Sequence, residues 1–193
     1  MKKFFLAAVA ISAICSSCEA TDENFLQEIN NAKVNAQKTK DGESADYQTY
    51  KNTVTRFIYN NDRSYAENVK MFEQHVNQYL NDDRQANTYE SINLNQLERL
   101  IQNNVNIIDE LDYSTEFKEG LYNMVHKNSE DLLPLKDQKE NNLRNTLFKI
   151  HKDNNGDDLL NGKRTIAFAY GAQSSFKQAV LYAGAIELKI KIN

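Results

Sequence analysis

The chain has 193 residues and a formal net charge of −4, with 40% hydrophobic and 26% charged residues, a soluble globular composition in which ten Tyr and nine Phe are available for a core. Two Cys exclude a disulfide-stapled miniprotein, and six Gly with one Pro are few for an all-β protein of many turns. The acidic balance excludes a basic nucleic-acid binder.

Lys2 and Lys3 precede an apolar stretch from Phe4 to Ile14, broken only by Ser12. A short positive region followed by a short apolar one is an export signal. It falls well below the roughly 20 apolar residues of a mature spanning helix. Small residues Ser16 and Ser17 then end in Cys18. This resembles the lipobox of bacterial lipoproteins, with Cys15 standing where Leu is usual. The resemblance covers residues 1–18 only. It implies that 1–17 is a cleaved signal peptide, that Cys18 carries diacylglycerol on sulfur, and that the new amino terminus is acylated with palmitate-type chains. One acyl chain binds a membrane marginally, whereas two or more anchor stably. The implied location is the bacterial cell envelope, lipid-anchored at the outer membrane or cell surface. The rival is ordinary secretion with cleavage after Ala20. Cys15 and Cys18 also form a C-x-x-C. Glu19 follows it where a haem site has His, and the pair lies at the edge of the removed segment, so it is not a redox pair of the folded domain.

Residues 18–23 are the lipidated cysteine and an acidic leader. The cluster resembles the surface-export signal of some Gram-negative lipoproteins. Asp22 and Glu23 would equally suit a helix N-terminus, and both readings stay open. Residues 24–193 have a single-domain length.

Within that domain the helical period dominates. Phe25, Ile29, Ala32 and Ala36 step by three and four, as do Tyr47, Tyr50, Val54 and Phe57, and then Tyr65, Val69, Phe72, Val76 and Tyr79. Leu94, Leu97, Ile101, Ile108 and Leu111 follow, with Asn104 in the missing place. Then come Phe117, Leu121, Met124 and Val125, and Leu143, Leu147 and Ile150. Each series puts an apolar stripe on one helix face. The expected fold is an all-α, multi-helix bundle of five to seven helices. Residues 43–80 read as one helix or as two, with Asp62 as a cap in the second case. Ser91 is expected to cap the next helix, a tight turn is expected at Leu111–Ser114, and breaks are expected at Asn128–Ser129 and Asp153–Gly156. From Thr165 to Ile192 small residues recur at steps of four, at Ala167, Gly171 and Ser175, and at Ala179 and Ala183. This predicts close packing and the most buried helix. Ile186, Leu188, Ile190 and Ile192 alternate with polar residues, so a strand competes with helix over 186–192. No later stretch has the roughly 18 apolar residues that signal a spanning helix. Asparagine is frequent, and a compositional bias is the plain explanation.

Catalytic patterns are not legible. A di-metal bundle needs Glu-x-x-His pairs, and none of His75, His126 or His151 has an acid three residues before it. Each is expected at a surface or boundary, not as a ligand. Asp153–Asp158 looks like a calcium loop, but with Gly156 at the sixth position Gly162 falls where bidentate Glu is needed. The adjacent pairs Asp82–Asp83, Asp109–Glu110 and Asp157–Asp158 point apart on a helix and make no acid/base dyad. No nucleophile elbow, phosphate loop or dinucleotide fingerprint is present. The expectation is therefore no catalytic residue, no metal, no cofactor and no enzyme, with Cys18 as the one functional site, for lipidation. The expected role is a binding or interaction module on the envelope, held to the membrane through lipid on Cys18 and meeting a protein partner, not nucleic acid. An inhibitor or immunity-type protein is the first alternative. An enzyme whose site is assembled from sequence-distant carboxylates is the second.

Overall fold

The structure, a computed structural model, describes residues 44–81, 89–102, 104–127, 135–153 and 158–190. The expected signal peptide, Cys18, the acidic leader and the 25–36 stripe lie outside these residues. The described part is all-α, as the stripes predict, with no strand among the described residues. Its helices are α1 (Ala45–Thr55), α2 (Tyr65–Tyr79), α3 (Leu94–Gln102), α4 (Asn104–Glu110), α5 (Thr115–Lys127), α6 (Gln138–Lys152), α7 (Asp158–Ala172) and α8 (Phe176–Ile190). This is the expected multi-helix bundle, with one of the sequence series divided in two.

The Ala/Gly-rich segment is two helices, α7 and α8, joined at 173–175. Ser174 and Ser175 donate their backbone N–H to Gly171 O at 3.0 and 3.1 Å, and the Ser175 hydroxyl caps α8 by accepting from Gln178 N at 2.9 Å. Residues 186–190 are helix, so the strand alternative fails. The small residues do allow close approach, between the two halves of this hairpin. A Cβ on Gly171 would meet Gln178 O and lie 2.5 Å from Ala179 N.

This hairpin is the centre of the fold. Ala179, Val180, Leu181, Ala183, Ala185, Ile186 and Leu188 of α8 are all buried, and so are Ile166, Ala167, Phe168 and Ala169 of α7. Outer helices lay their stripes on it. Phe72 of α2 packs over Gly184, where a Cβ would run into the Phe72 ring and stand 3.2 Å from Val54 Cγ2. Tyr50 meets Phe168 edge to face at 5.5 Å. Tyrosine hydroxyls add polar ties. Tyr65 Oη donates to Ala185 O at 2.8 Å, and Tyr113 Oη to Ala169 O at 2.9 Å.

Residues 43–80 are two helices. The cap of α2 is Ser64, not Asp62, and it forms a full capping box with Glu67. Asp62 instead donates its backbone N–H to Asn60 Oδ1 at 2.8 Å. At α3 the cap is Asn93, not Ser91. Its Oδ1 accepts from Asn95 N and Gln96 N at 3.0 and 3.2 Å.

Several asparagines have a structural use that composition does not suggest. Asn68 accepts from Asn60 N and donates to Asn60 O, both at 2.9 Å. Asn77 accepts from Glu90 N at 2.9 Å and donates to Glu90 O at 2.7 Å. Asn141 pairs with Leu135 N and O in the same way. A carboxamide carries the donor and acceptor of a peptide group. Each of these side chains therefore satisfies both backbone groups of one loop residue and pins that loop to a helix.

Candidate functional site

The most concentrated chemistry among the described residues lies where α1, α6, α7 and α8 meet. Arg164 of α7 is 1% exposed. Its Nη1 faces Glu187 Oε2 of α8 at 3.3 Å. Its Nη2 is within 2.8 Å of Ile150 O, 2.7 Å of Asp153 O and 3.0 Å of Asn161 Oδ1. Ile150 and Asp153 belong to the end of α6, whose last carbonyls have no intrahelical donor and carry the negative end of the helix dipole. A guanidinium is the group that satisfies them best, because its planar fork serves several acceptors at once. Asn161 lies one turn before Arg164 and keeps the fork in place.

Tyr50 of α1 completes the cluster by donating from Oη to Glu187 Oε2 at 2.9 Å. Burial pushes the Tyr50 phenol well above its ordinary value, and the neighbouring Glu187 carboxylate pushes it further. It therefore remains a protonated donor. At the rim, Lys51 Nζ reaches Asp153 Oδ1 at 3.3 Å and Tyr47 Oη at 3.2 Å. Ser44 and Thr146 share a hydroxyl hydrogen bond of 2.8 Å. The Nη groups of Arg164 and the Tyr50 hydroxyl are thus directed to acceptors inside the fold, whereas Arg164 Nε is buried without a hydrogen-bond partner among the described residues. Chemically this is a clasp joining four helices.

The histidines fall on three different helices. His75 on α2 lies 2.9 Å from Thr53 O through Nε2, so Nε2 carries the hydrogen. His126 on α5 is exposed beside the Tyr122 ring, 4.6 Å away. His151 on α6 is 8% exposed, which corrects its expected surface or boundary place: it belongs to the buried end of α6. Among the described residues no three His, Cys, Asp or Glu side chains are grouped so as to hold a metal ion. Asp153 is drawn to Lys51, and the rest of the calcium-like run at 154–157 lies outside the described residues. Glu110 pairs with Arg99 of α3, away from its neighbour Asp109. No described helix is long and apolar enough to cross a membrane.

The surface offers a second kind of feature. Ile58, in the link after α1, is 84% exposed. Nearby, the Arg56 guanidinium lies 5.2 Å over the Tyr79 ring, and that ring stacks on His75 at 5.8 Å. Arg and aromatic side chains are residue types enriched where proteins meet. Sequence reasoning missed the clasp. The signal for it was a charge set between buried apolar residues, Glu187 between Ile186 and Leu188.

Comparison with known protein families, with curated proteins and with solved structures finds no match to this chain.

Proposed function

We propose that this chain is a lipid-anchored protein of the bacterial cell envelope, whose helical domain is a binding module for another protein. The observation that carries the reading is the export segment ending in Ser16-Ser17-Cys18. Lipid on Cys18 holds the domain at a membrane, since each buried methylene adds about 0.8 kcal/mol and two or three long chains make release very slow. Ile58, two residues from the Arg56 that lies over Tyr79, supports the second half of the reading, because it leaves an aliphatic side chain in water.

Metabolic labelling with a palmitate analogue in the native cells tests the anchor. Wild type is labelled and fractionates with membranes. Cys18→Ala loses the label and accumulates as uncleaved precursor or as soluble protein, whereas Cys15→Ala keeps the label. Persistent labelling of Cys18→Ala, or an unlabelled soluble wild type, overturns the anchor. A photo-crosslinker at position 58 in intact cells tests the module. A discrete adduct at 58 that a crosslinker at exposed Tyr122 does not give supports the patch, and no adduct at 58 removes it.

A further inference from the structure

We draw no further inference here: the strongest candidate, the buried side-chain cluster of Arg164, Glu187 and Tyr50 between α1, α6, α7 and α8, belongs to the site already described and acts there as a clasp between helices.

Discussion

Arg164→Met is the perturbation that most directly tests the clasp. Methionine fills much of the space of the arginine stem and has no donor. It takes the guanidinium away from Glu187, which is 9% exposed, and from Ile150 O and Asp153 O. Removing one partner of a buried ion pair costs about 3–5 kcal/mol. An orphaned buried carbonyl adds on the order of 1 kcal/mol, and the two costs overlap because the same side chain serves both. The expected loss is about 4–5 kcal/mol, a large share of the 5–15 kcal/mol typical of a domain. Glu187→Gln should cost less, about 1–2 kcal/mol. Arg164 keeps its three neutral acceptors in that variant, and the glutamine oxygen still accepts from Tyr50. Combining Arg164→Met with Glu187→Met removes both charges and should be more stable than Arg164→Met alone. Urea unfolding followed by circular dichroism measures all three variants, provided the m-values agree. If Glu187→Gln proves as damaging as Arg164→Met, the arginine is not the hub. If the double variant is no better than the single one, the ion pair is not the source of the cost.

Two glycines should respond oppositely to alanine. Gly120→Ala, with nothing within 4 Å of its new Cβ, should stabilise α5 by about 0.5–1 kcal/mol, while Gly171→Ala should destabilise by about 1–3 kcal/mol because its Cβ strikes the backbone of α8; thermal unfolding of both variants checks the signs. Asn68→Asp should cost about 2 kcal/mol or more in the same assay, since it turns the amide donor to Asn60 O and Ser64 O into an acceptor. Alkali should unfold the domain steeply. Tyr50 and Tyr65 have folded values raised by burial, so their stabilising contribution is complete below pH 10 and is lost as pH rises above it, at about 3 kcal/mol per pH unit for the two groups together. Helicity that persists after the absorbance shows all ten tyrosines ionised would contradict this.

The class of fold was legible because the outer helices are amphipathic. Tyr47, Tyr50 and Val54 on α1, and Val69, Phe72 and Val76 on α2, are stripe positions in the sequence and buried positions in the structure. Divisions between helices were less legible. The stripe through 43–80 continues across Asn61, and it conceals a stop whose real mark is the Ser64-x-x-Glu67 capping box. The stripe through 94–111 is imperfect at its start, since Leu94, its first member, is 51% exposed. The central hairpin misled for a different reason. A helix buried on nearly every side has no polar face, so the 3.6-residue period is lost. What remained visible at 186–192 was an alternation. It depended on treating Glu187 as an outward residue, when that side chain in fact turns inward to Arg164 and Tyr50.

The same reasoning separates what sequence can show about the two sites. A charge in an apolar helix signals a partner, because burying it alone is prohibitive. Glu187, between Ile186 and Leu188, sends that signal, whereas Arg164 follows Lys163 and does not stand out in the sequence. Naming the partner needs the fold, since the hydrogen bond from Tyr50 to Glu187 spans 137 positions of sequence. The surface poses the reverse problem. Phe57 and Ile58 are adjacent aliphatic and aromatic residues that any hydropathy reading treats alike, yet Phe57 is 7% exposed and Ile58 is 84% exposed. Phe57 is accounted for by its edge-to-face contact with Phe72 at 5.2 Å. Ile58 gains nothing comparable from the fold, and a polar residue there would keep the connection equally well. A side chain that packing does not require is one whose identity is open to selection by a partner. Ile58→Lys should therefore leave the unfolding free energy within about 0.5 kcal/mol of wild type, while abolishing any adduct formed by a crosslinker at position 56.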